Sequence, residues 1–174
     1  GLDGALELLS TLENGPPGPA VASGWAAIEC LLHPRGDEKV IAGDRLAMIL
    51  ACSVPRAELT TLAFSHKKTK RDSLATSIEN ASSNYERAHF MLEAIKRKED
   101  FSHLPAKDLC GLNRIEEILK SPRKQLRDIE NYAKNVLRRL YRQRNIIMHG
   151  GKIDSVVLSG VLRSSAPLVG AGMD

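Results

Sequence analysis

Apolar residues recur along most of this chain at steps of three and four, the spacing of one helix face, and nowhere in the alternation of a half-buried strand. Between Ser73 and about Lys98, the series Ile78, Ala81, Tyr85, Ala88, Leu92 and Ile95 predicts a single amphipathic helix. A longer one is predicted from Ser121 (N-cap) and Pro122 (first turn) to His149, with Leu126, Ile129, Ala133, Val136, Leu137 and Leu140 as its buried stripe and Gly150 and Gly151 as its stop. "AVASGWAAIECLLHP" is apolar on every side and reads as a buried helix ended by Pro34. A helix from about Asp44 to Cys52 is expected to close before Pro55, with a short helix following in "RAELTTLAFSHKK" and another in "DLCGLNRIEEILK". A last helix starts after Asp154 and is interrupted at Pro167. At the other end, "LDGALELLSTLEN" is a short amphipathic stretch broken by "GPPGP". The fold class expected is all-α, with residues 1–19 as helix and Pro/Gly connector and 20–174 as one helical domain.

Composition narrows the class of protein. With 174 residues, 43% hydrophobic and 26% charged, the chain can bury a core without staples. No apolar run nears the roughly 18 residues of a membrane helix, so no membrane partner is expected. The chain begins with Gly and ends in "LVGAGMD", which reads as a piece of a longer protein. Cys30, Cys52 and Cys110 stand far apart in apolar settings and lack metal-type spacing, so they are expected as reduced, buried thiols in a cytoplasmic protein. Neither a phosphate-cradling glycine loop nor a nucleophile elbow is present, and no metal or cofactor is expected. Charge is uneven: residues 1–66 hold four Lys/Arg against eight Asp/Glu, whereas residues 107–144 hold eleven against five. The basic half suits a phosphate-rich partner or a solvated helix face.

The stretch "LYRQRNIIMHGG" (140–151) concentrates the chemistry. At about 100° per residue, Tyr141, His149 and Arg138 fall within about 40° of Asn145, and Arg142 at about 60°. The apolar stripe lies on the other side, so this face is expected to be presented rather than packed. Arg144 falls near Leu126 and Leu137, on the flank of the stripe, where an unpaired guanidinium is costly. Glu29 is the only charged residue between Asn14 and Pro34 and is a candidate counter-ion for it; turning outward, or pairing with Arg45, are the alternatives for Glu29. A purely structural account exists as well, because Arg and His at a helix C-terminus offset the helix dipole.

The same string resembles the signature of HEPN domains (higher eukaryotes and prokaryotes nucleotide-binding), in which Arg, usually followed by a polar residue, precedes His by four to six residues. Here these are Arg144, Asn145 and His149. "GWAAIECLL" followed by "GDRLAMILA" resembles the N-terminal part of the ApeA-like branch. The resemblance is sharp over 138–151, looser over 21–53, and over 54–120 only a matter of helical pattern. It implies an antiparallel helical bundle that pairs into dimers. Many members are metal-independent endoribonucleases of toxin and phage-defence systems, and others are non-catalytic modules for binding or dimerisation.

Elementary chemistry is compatible with such an activity. Attack by a 2′-hydroxyl needs a base, an acid for the leaving oxygen, and donors for the developing charge. Histidine serves as acid or base at neutral pH, and Arg binds phosphate while staying charged. One His per chain does not supply both acid and base, so a composite site at a homodimer interface is expected, with RNA as partner. Arg138 and Arg142, and Lys67 and Lys68 of the "KKTKR" cluster, are candidate RNA contacts, although the cluster reads more readily as a solvated loop. Tyr141 is a candidate for stacking on a base or for closing a dimer contact. His33, His66, His89 and His103 read as structural or surface residues. A regulatory partner or further domain belongs to the same expectation.

Overall fold

The structure, a computed structural model, describes residues 2–33, 36, 38–150 and 155–173. It is all-helical, and no strand occurs among the described residues. In chain order the helices are α1 (Leu2–Asn14), α2 (Pro17–Leu32), α3 (Val40–Thr69), α4 (Ser73–Asn80), α5 (Asn84–Lys96), α6 (Ala106–Lys120), α7 (Pro122–Met148) and α8 (Ser155–Met173). They form two compact units, Gly1–Ala51 with Arg127–Asp174, and Cys52–Leu126, where the sequence suggested one domain after a connector.

In the first unit, Val21, Trp25 and Ile28 of α2 pack with Leu46 and Leu50 of α3, Leu137 and Leu140 of α7, and Leu158 and Val161 of α8. Trp25, the only tryptophan, is fully buried. Gly43 is what admits its ring, because a Cβ at position 43 would lie 2.9 Å from Trp25 Cη2 and 3.5 Å from Leu137 Cβ. A buried indole has no room to yield. Gly43→Ala is therefore expected to destabilise this unit by about 1–3 kcal/mol through overpacking. A midpoint in urea unchanged from the wild type would contradict that packing.

The second unit has its own core, in which Leu59, Leu62 and Ala63 of α3 meet Leu74 and Ile78, Met91 and Ile95, Phe101 and Leu104, and Leu112 and Ile115. The N-termini of α4 and α5 are capped by side chains. Asp72 accepts from Ala75 N–H at 2.9 Å, and Ser83 Oγ accepts from Glu86 N–H at 3.2 Å.

Several boundaries differ from those expected. The helix from Ser73 to Lys98 is two helices, because Ser83 caps a new start while Glu86 Oε2 accepts from Ser82 N–H at 2.7 Å. Arg87 then donates to the Ala81 carbonyl at 2.6 Å, satisfying an acceptor that the break exposes. Tyr85, counted in the apolar stripe, is 72% exposed. Neither Pro55 nor Pro167 ends a helix. At Pro55 the cost is about 3 kcal/mol. It is offset by buried Leu46 and Leu50 before the proline and Leu59 and Leu62 after it, at about 1.5–3 kcal/mol each. The same helix begins at Val40 rather than Asp44, and the "KKTKR" cluster starts as its last turn rather than as a loop. The "GPPGP" connector shrinks to Gly15–Pro16, since Pro17 opens α2 and a proline in the first turn has no hydrogen bond to lose. α2 stops at Leu32; Pro34, Gly151 and Asp154, invoked as boundaries, lie outside the described residues. The three cysteines are exposed rather than buried, each standing on the solvent side of its helix.

Candidate functional site

α7 is amphipathic along its whole length, with Ala133, Val136, Leu137 and Leu140 buried and Leu126 and Ile129 half-buried. Beyond Leu140, Tyr141 and Ile147 still pack against the core, and most of the other residues are polar. His149 N–H still bonds to Asn145 O at 3.1 Å, and the helix closes at Gly150, whose φ of 72° lies in the left-handed region that glycine adopts without strain.

On this end of α7 Arg138, Tyr141, Arg142, Asn145, Ile146 and His149 line a concavity of about 710 Å³, completed by Val40 at the start of α3. The five polar residues that the helical wheel places together thus share one surface. They are not equally available, and that face is not simply a presented one. Arg138 is bound by Asp44 of α3 through two contacts, Nε–Oδ1 at 3.2 Å and Nη2–Oδ2 at 2.9 Å, which raise the pKa of its guanidinium above the ordinary value. Tyr141 is half-buried, its ring 4.7 Å from that of Trp25 at 43°, and it lines the concavity as well. Arg142 and His149 are exposed, and neither side chain makes an ion pair or hydrogen bond among the described residues.

Arg144 does not line the concavity. Its Nη2 lies 3.7 Å from Glu29 Oε2, the counter-ion proposed from the sequence, and its Nη1 donates to Asn145 Oδ1 at 3.1 Å. Glu29 Oε1 in turn accepts from Trp25 Nε1–H at 2.8 Å. Arg45 instead donates to the Leu32 carbonyl at 3.1 Å. A chain of contacts therefore runs from the buried indole through Glu29 and Arg144 to Asn145. With its Oδ1 engaged by Arg144, the Asn145 amide keeps two N–H donors for whatever occupies the concavity. Both members of the ion pair are about four-fifths buried, at 18% and 20% exposure. Glu29→Ala leaves the Arg144 charge and the Trp25 N–H without this partner, and is expected to cost about 1–3 kcal/mol in urea denaturation. A loss no larger than that of an exposed surface pair, about 0–1 kcal/mol, would mean that the chain does not form.

Lys67 and Lys68 belong to the other unit and take no part in this concavity; Lys67 Nζ lies 3.4 Å from Glu79. That unit holds a group that motif-based reading passed over. His66 is 1% exposed, with Nε2 3.0 Å from Asp72 Oδ1 and Nδ1 3.0 Å from His103 Nε2. The one signal in the sequence is spacing, since His66 continues the buried series Leu59, Leu62, Ala63. His89 is exposed beside Tyr85, and His33 is half-buried at the C-cap of α2.

Comparison of the chain with family models, with curated proteins and with solved structures finds no match.

Proposed function

We propose that this chain is a HEPN-type domain, an antiparallel helical bundle of the ApeA-like kind, and that it acts as a metal-independent endoribonuclease in a toxin or phage-defence protein of the cytoplasm. The observation that supports this reading is the shared concavity of Arg142, Asn145 and His149, a cation, an amide donor and an imidazole at steps of three and four on one helix face. His149 moves the proton of the 2′-hydroxyl or of the leaving 5′-oxygen, while Arg142 and the Asn145 amide meet the phosphate. Arg144, the motif arginine, acts through Asn145 by fixing which way its amide faces. The second proton-transfer group comes from His149 of a second copy in a homodimer.

One observation favours the alternative, a non-catalytic HEPN module for dimerisation or for binding RNA or nucleotide: Arg144 is tied to Glu29 behind the concavity rather than lining it. A mixed-sequence RNA and its 2′-deoxy counterpart, each incubated with the protein in EDTA, separate the two. The ribonuclease cuts only the RNA, leaving cyclic-phosphate and 5′-hydroxyl ends. Tight RNA binding with both strands intact would sink the catalytic reading in favour of the module, and cutting of the deoxy strand would sink the 2′-hydroxyl mechanism.

A further inference from the structure

We propose that Asp72, His66 and His103 form a pH-sensitive latch that holds the α5–α6 connection, residues 97–105, against the end of α3, and opens when both imidazoles become protonated. This inference is independent of the ribonuclease reading and concerns only the Cys52–Leu126 unit.

The latch follows from counting protons along one line of hydrogen bonds. His66 is buried and uses both ring nitrogens, Nε2 toward Asp72 Oδ1 and Nδ1 toward His103 Nε2, each at 3.0 Å. Asp72 is the N-cap of α4 and accepts from Ala75 N–H as well, which holds its carboxyl far below the ordinary carboxylate range. An ionised carboxylate only accepts, so His66 Nε2 carries a proton. If both rings are neutral, His66 Nδ1 is an acceptor and His103 Nε2–H donates to it. One added proton is tolerated: His66 becomes an imidazolium donating to Asp72 on one side and to His103 on the other. A second proton is not, because His66 Nδ1–H and His103 Nε2–H then face each other at hydrogen-bond distance with no acceptor between them.

The surroundings oppose that second proton. His103 is half-buried, and burial, then the neighbouring His66 and then Lys70 push it below the ordinary histidine value, against weaker support from Asp100 and Asp72. Lys70 follows α3 and already pairs with Asp72 Oδ2 at 3.3 Å; Asp108 of α6 is occupied by Ser65 Oγ at 2.5 Å. Asp100 accepts from Ser102 N–H and Oγ within the connection itself. The segment that His103 anchors carries Phe101 and Leu104, 5% and 4% exposed, with the Phe101 ring edge-on to His66. Loss of the imidazole contact therefore uncovers apolar surface.

Because His103 is lowered in the folded chain, its contribution to stability is complete above the ordinary value near pH 6.5. It is lost progressively as pH falls from there to the lowered folded-state value. That window lies above the one in which Asp72 itself protonates. Hydrogen exchange of the intact protein between pH 7.5 and pH 5, corrected for intrinsic rates, reads the latch directly. Protection of residues 97–105 is expected to fall roughly tenfold per pH unit once below 6.5, until the folded-state value is reached. In His103→Gln, whose amide donates to His66 Nδ1 without titrating, that pH dependence is expected to disappear. Histidine side-chain NMR of the wild type provides the check that needs no variant, with the Phe101 signals moving as His103 takes up its proton. Flat protection across the range, the same pH dependence in His103→Gln, or protonation of His103 without any change at Phe101 would each overturn the latch.

Discussion

Trp25→Ala is expected to destabilise the Gly1–Ala51/Arg127–Asp174 unit by about 3–5 kcal/mol. Against the roughly 5–15 kcal/mol by which domains are stable, that is a large share of the total. Three contacts are lost together. The fully buried indole fills the space opposite Gly43 and Leu137, it supports the Tyr141 ring at 4.7 Å, and its N–H bonds to Glu29 at 2.8 Å. The first loss leaves a cavity, and the last leaves the Glu29–Arg144 pair short of a donor. Since Trp25 is the only tryptophan, the variant has to be followed by circular dichroism rather than indole fluorescence. Trp25→Phe keeps most of the ring and removes the N–H, so its smaller cost, about 1 kcal/mol for the hydrogen bond beyond the volume change, separates the two effects. A Trp25→Ala loss below about 1 kcal/mol would show that the core is not built around this side chain.

The second large effect is on activity. His149→Ala is expected to lower the rate of metal-free RNA cleavage by about 10²–10⁴, the usual contribution of a positioned acid or base. Stability is expected to stay within about 0.5 kcal/mol, because the imidazole is exposed and makes no hydrogen bond or ion pair among the described residues. The combination is what separates chemistry from scaffold. A histidine kept only to offset the helix dipole would change stability by a few tenths of a kcal/mol and leave cleavage alone.

The helical content was legible because the apolar spacing of three and four needs only local geometry. The same spacing misled across residues 81–83, where the Ser83–Glu86 cap breaks the helix without breaking the rhythm. It also misled at Pro55, where burial on both sides outweighs one lost backbone bond. At the candidate site, the wheel put Arg138, Tyr141, Arg142, Asn145 and His149 on one surface, and the Glu29–Arg144 pair was among the arrangements that a lone acid in an apolar helix suggested. Asp44 was not foreseen, since nothing in α7 announces which acid on another helix will meet Arg138. The same limit hid the His66–His103 contact, made by residues 37 positions apart in a segment without a motif.

The central claim is that the Arg142–Asn145–His149 surface cuts RNA without a metal. Its most direct test is cleavage of an end-labelled, mixed-sequence RNA in EDTA by the wild type and by His149→Ala, with matched melting curves. The prediction is cutting to cyclic-phosphate ends by the wild type and a loss of at least about a hundredfold in the variant. Equal cutting by both proteins, or none by a wild type that binds the RNA, would contradict it.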